Sequence, residues 1–93
     1  MRGSQAARAE MREGVFETTY KEFSAKDREF LFAMLEDAHV STVSNMAARM
    51  GVANNYAGQY KKRLLESGVI GERGRGEVAF ELPGLRGFLE EKR

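Results

Sequence analysis

Ninety-three residues with no cysteine, a single proline and a formal net charge of +1 describe one small domain. The missing cysteines exclude disulfides, thiolate nucleophiles, zinc knuckles and iron–sulfur clusters, and they fit a reducing cytoplasm. No apolar run approaches the roughly 20 residues of a membrane span, and the N-terminus lacks the apolar stretch of a signal peptide.

Residues 1–4 read as a disordered start or a cloning remnant. Residues 5–23 read as an N-terminal connecting helix, from about Gln5 to Glu22. Ala7, Met11, Val15, Phe16, Tyr20 and Phe23 recur there at spacings of three to five. Val15, Phe16 and Tyr20 offer an apolar stripe that a partner or a second copy could cover.

A domain is expected over residues 24–93. Ser24, with Asp27 three positions on, is a capping-box-like start. The helix that follows, Ala25 to about Asp37, gathers Phe30, Leu31, Met34 and Leu35 on one face and leaves Phe32 to meet the first helix. Ser41 or Thr42 caps a third helix with Val43, Met46, Ala47 and Met50 at i, i+3, i+4 and i+7. Gly51 stops it. Asn54 or Asn55 is the expected cap of a fourth helix ending at Gly68, with Ala57, Tyr60 and Leu64 inward and Tyr56 partly so. The period then changes from helical to alternating. Val69–Glu72 and Val78–Leu82 read as a hairpin around the turn Arg73-Gly74-Arg75-Gly76. Pro83 closes it, and Leu85, Phe88 and Leu89 mark a last short helix.

The stretch Val43 to Leu82 carries the functional signal. Two helices joined by a short Gly-containing turn form a helix-turn-helix, whose second helix presents its N-terminal residues to base edges in the major groove. Asn54, Asn55, Tyr56 and Gln59 occupy that position here. Asn and Gln offer the paired donor and acceptor that match adenine N6 and N7. Lys61, Lys62 and Arg63, one turn on, suit phosphates. Gly58 weakens the helix by about 1 kcal/mol relative to Ala, so a reason for it is expected, such as close approach to the duplex. Arg73 and Arg75, among glycines at the hairpin tip, suit a mobile arm in the electronegative minor groove. Charge is distributed to match: residues 1–40 hold six Lys/Arg against eight Asp/Glu, and residues 41–93 hold nine against six. Glu72 and Glu77 dilute the field of the hairpin.

The runs Met46-Ala47-Ala48-Arg49-Met50-Gly51-Val52 and Arg63-Leu64-Leu65-Glu66-Ser67-Gly68-Val69-Ile70 resemble the winged helix-turn-helix of MarR-like regulators. The resemblance implies a recognition helix over Asn54–Ser67 and a wing over Glu72–Glu77. It further implies base-facing Asn54, Asn55, Tyr56 and Gln59, with Lys62, Arg63, Arg73 and Arg75 on the backbone. Where this family often has Ser or Thr, Ala53 stands, so the helix cap passes to Asn54 or is lost. Val15-Phe16-Glu17, Phe23-Ser24-Ala25-Lys26-Asp27-Arg28-Glu29-Phe30-Leu31 and Phe80-Glu81-Leu82-Pro83 are similar to the C-terminal winged-helix domain of bacterial and archaeal-type AAA ATP-binding proteins. That second resemblance implies an ATPase module upstream in a longer chain. No G-x-x-x-x-G-K-[ST] loop occurs here.

The expected fold class is mainly α with a small β-hairpin: a three-helix core plus wing, with extra N- and C-terminal helices. The expected partner is double-stranded DNA, with a homodimer possible and no membrane. The alternative is a regulatory winged helix that docks protein. Under it, Lys61–Arg63 are a solvated face and the hairpin arginines edge charges. His39 stands alone, and there is neither a nucleophile–base set nor metal-ligand spacing, so no catalysis, cofactor or metal is expected.

Overall fold

The computed structural model describes residue 14 and residues 16–93. Most of the N-terminal helix predicted over residues 5–22, with the predicted start at 1–4, lies outside the described residues. Residues 16–22 are helical. They lead to α1 (Ala25–Met34), β1 (Ser41–Thr42), α2 (Val43–Met50), α3 (Asn54–Ser67), β2 (Ile70–Gly74), β3 (Glu77–Phe80) and α4 (Leu85–Lys92). The small antiparallel sheet has the order β1-β3-β2. Three helices, a short strand between the first two, and a hairpin after the third make a winged helix.

The capping box that starts α1 forms as the sequence predicts. Ser24 Oγ accepts from the Asp27 amide at 3.1 Å, and the Asp27 carboxylate accepts from the Ser24 amide at 3.4 Å. The helix ends at Met34 rather than near Asp37. Leu35, Glu36 and Asp37 donate to the carbonyls three residues back, which tightens the last turn. Asp37 is then drawn off by Arg49 and Ser41.

Ser41 and Thr42, expected to cap a helix, also form β1. Ser41 pairs with Val78 and Thr42 with Glu77. Thr42 Oγ1 still accepts from the Asn45 amide at 3.2 Å and caps α2. Gly51 stops α2 in the left-handed conformation at φ 70°, as the sequence predicts.

Phe30, Leu31, Met34, Met46, Leu64, Val69, Val78 and Leu89 are completely buried and form the centre of the core. α1 packs on both α2 and α3, and α2 packs on α3. Phe32 meets Tyr20 edge-on at 6.3 Å, the contact expected for a residue off the main stripe. Phe16, expected on an exposed stripe, is instead buried: its ring lies 5.5 Å from Phe88 of α4. Tyr20 packs beside it, with its centroid 5.9 Å from Phe88 and the Arg28 guanidinium 4.5 Å above the ring. α4 therefore covers the stripe that the sequence left open. Val15 lies outside the described residues.

The hairpin is tighter than predicted. The turn is Arg75–Gly76, not Arg73–Gly76, and Gly76 takes the left-handed conformation it needs at φ 72°. Glu72 pairs with Val78 and Gly74 with Glu77, so Arg73 is the extra residue of a bulge. Among the described residues, no helix is long and apolar enough to cross a membrane.

Candidate nucleic-acid interface

α3 begins without a side-chain cap. Ala53 is the N-cap residue and makes no capping bond, so the role expected of Asn54 or Asn55 is lost rather than transferred. Both asparagines instead lie within the first turn, with their side chains exposed and without a hydrogen bond to another described residue. Ala57 and Leu64 face the core, and Tyr60 packs at its edge. That burial turns Asn55, Gln59, Lys62 and Glu66, spaced at i, i+4, i+7 and i+11, to the opposite side. All four are exposed. Tyr56, expected partly in the core, is 52% exposed beside them.

The candidate cations divide into two groups. Three are committed to carboxylates. Lys61 Nζ lies 3.1 Å from Glu72 of β2, which ties α3 to the wing. Arg63 reaches back to α1, where Nη2 and Nε meet the two Asp27 oxygens at 2.9 and 3.3 Å and the guanidinium lies 5.3 Å from the Tyr60 centroid. Its pKa is raised, chiefly by the hydrogen bonds to Asp27. Arg73 crosses the hairpin to Glu81 at 2.9 Å. Among the described residues, Lys62 and Arg75 form no ion pair and are exposed.

The wing is not a free arm. The Val43 amide donates to the Gly76 carbonyl at 3.3 Å, so the tip is held against the start of α2. Arg75 is thereby presented from an anchored turn, with Glu72 and Glu77 on the strands behind it and Glu81 just beyond β3.

Sequence reasoning missed the polar hub that ties the end of α1 and the turn after it to α2. Asp37 accepts from Arg49 Nη1 at 2.7 Å, Arg49 Nη2 at 3.0 Å and Ser41 Oγ at 2.8 Å. Arg49 chiefly holds this carboxyl below the ordinary aspartate value, against the opposing effect of burial. Arg86 of α4 donates to the Asp37 and Leu35 carbonyls and lies 5.2 Å from the Phe80 ring centroid. These partners are 12 and 49 residues apart in the chain, and no local pattern announces them.

Two open grooves lie away from the outward face of α3. One, of about 420 Å³, is lined by Glu29, Phe32, Arg49 and Met50. The other, of about 480 Å³, is lined by His39, Val40, Phe80, Leu82 and Arg86. No group of three His, Asp or Glu residues suited to a metal occurs among the described residues.

Known proteins agree with this architecture. The solved structures include a similar chain from work on regulation of DNA binding of Bordetella bronchiseptica BpsR by 6-hydroxynicotinic acid. The two superpose with a TM-score of 0.60 at 16% identity, over 98% of this chain and 70% of that one. At this identity the likeness concerns the fold. No curated protein matches. The family described as "Domain of unknown function (DUF8462)" matches residues 13–89, which is most of the chain. With its helix-turn-helix, three-stranded sheet and short wing, the chain belongs to that family and is a winged helix.

Proposed function

We propose that this chain is a module that binds double-stranded DNA, carries no catalysis of its own and needs no cofactor. One observation carries the reading. The outward face of α3 sets two amides, Asn55 and Gln59, in line with Lys62, all three without a side-chain partner among the described residues. Three neighbouring cations are meanwhile tied up in positioning the scaffold. Exposed amides at the start of a recognition helix suit base edges, adenine above all, and Asn54 and Tyr56 flank them. Lys62 and Arg75 serve the phosphates. Lys61, Arg63 and Arg73 act indirectly, by fixing the helix against the wing and α1. The likeness to BpsR, a protein whose DNA binding is regulated, supports this reading. A cytoplasmic transcriptional regulator, acting as a homodimer, is the setting in which such a module works.

The test is a fluorescence anisotropy titration with duplex DNA at about 50 and 200 mM salt, where binding through phosphates weakens with salt. Affinity that falls with salt, and falls further in Arg75→Ala, supports the reading. No binding at the lower salt refutes it.

A second reading rests on the carboxylates. Glu66, Glu72, Glu77 and Glu81 are interspersed with the cations, a mixed surface that suits a protein partner. Under that reading the chain is a regulatory domain of a larger AAA-type ATPase, as its second resemblance implies, and DNA binding fails while docking to the nucleotide module succeeds.

A further inference from the structure

Gly58 has no explanation inside the described chain. Its backbone is helical and is not among the left-handed glycines, so conformation does not require it. A Cβ built there meets nothing within 4 Å among the described residues, so packing does not require it either. A glycine in the middle of a 14-residue helix is nevertheless among the least favourable choices.

The neighbours of Gly58 supply the missing reason. On a helix, residues three and four away surround a position. For Gly58 these are Asn54 and Asn55 one turn before, and Lys61 and Lys62 one turn after. Lys61 leans to the wing, where it meets Glu72, and Lys62 points outward without a partner among the described residues. The absent side chain thus leaves a notch on the flank of α3 nearest the wing, rimmed by two amides and two ammonium groups. The amides and Lys62 can donate N–H bonds, and Lys62 gives the rim its positive charge, since Lys61 is paired with Glu72.

We propose that this notch seats one backbone phosphate of the DNA, on the strand that passes between α3 and the wing. The inference rests on the DNA-binding reading and adds a position to it. The phosphodiester oxygens accept from Lys62 and from the Asn54 amide, while Asn55 keeps its place toward the bases and Lys61 stays with Glu72 at the wing edge of the notch. A methyl at residue 58 would occupy the space that the phosphate needs.

The proposal makes stability and affinity move in opposite directions. Gly58→Ala is expected to raise Tm by about 4–8 °C. It is also expected to weaken duplex binding about tenfold, the value of one lost charge-assisted contact. The plot of log affinity against log salt should become shallower by about 0.9, the contribution of one phosphate. Lys62→Ala should produce the same salt effect, and the double variant should cost little more than either single change. A Gly58→Ala protein that is stabilised but binds as tightly as the wild type overturns the notch while leaving the DNA reading intact. Destabilisation by Gly58→Ala would show that the space is filled, and additive losses would show that Gly58 and Lys62 serve different contacts. Either result overturns the proposal. Failure of the wild type itself to bind DNA removes the reading on which the notch depends.

Discussion

Arg63 turns away from the outward face of α3 and closes on Asp27, with Nη2 2.9 Å from one carboxylate oxygen and Nε 3.3 Å from the other. Asp27 is 5% exposed and also completes the capping box of α1, so one carboxylate joins the start of α1 to α3. Arg63→Ala should therefore act mainly on stability. The expected loss is about 1–2 kcal/mol, the low part of the range for charged hydrogen bonds because the arginine side chain is half exposed. Lys62→Ala should leave denaturant midpoints unchanged and weaken DNA binding. Urea unfolding beside anisotropy separates the two effects. Equal effects of both substitutions on affinity, with none on stability, would contradict the division.

The Asn55 and Gln59 side chains make no hydrogen bond within the described chain, so replacing either removes no side-chain contact that holds the fold together. Asn55→Ala and Gln59→Ala should each reduce discrimination between the best duplex and a scrambled one by about 1–3 kcal/mol, the value of a paired amide on a base edge. Tm should stay constant. Selection from a random duplex pool, repeated with each variant, shows whether the preference for A·T steps is relaxed.

The uncapped start of α3 leaves stability to be gained. Ala53 already has the extended backbone of an N-cap, with φ −71° and ψ 155°, but lacks an acceptor. Ala53→Ser should stabilise the domain by about 1 kcal/mol by satisfying an amide of the first turn. Thermal unfolding measures it, and no gain would mean that the first-turn amides are already satisfied in the free protein.

The Asp37 carboxylate sets an acid limit. Its pKa in the fold lies below the ordinary 3.8, chiefly because Arg49 donates to it. The unfolded chain therefore takes up the proton first. The stabilisation is complete above the ordinary value and is lost as pH falls through it towards the lower folded value. Asp37→Asn should lower Tm at neutral pH, and its deficit against the wild type should shrink in acid. A Tm difference constant from pH 7 to about pH 3 would exclude this source of acid sensitivity.

Local rules carried much of the fold. Ser24 and Asp27 close a capping box wherever a helix starts on them, and Gly51 and Gly68 stop helices because they alone accept the left-handed turn at low cost. The inward stripe of Ala57 and Leu64 is a matter of helical period, and it places Asn55, Gln59 and Lys62 outward by the same arithmetic. Other features depended on residues distant in the chain. β1 is only two residues long and exists because β3 offers it a ladder, which no pattern in Ser41-Thr42 declares. Phe16 is apolar in any reading, but whether it is a partner surface or core was decided by α4 folding back across it.

The sequence by itself determined which residue types stand at the start and on the outer side of α3, because helical period is local. The tertiary structure decided which cations are free among the described residues. Lys61, Arg63 and Arg73 look equivalent to Lys62 and Arg75 along the chain. Carboxylates brought in from Glu72, Asp27 and Glu81 neutralise the first three, and ion pairing depends on distance in space rather than on order in sequence.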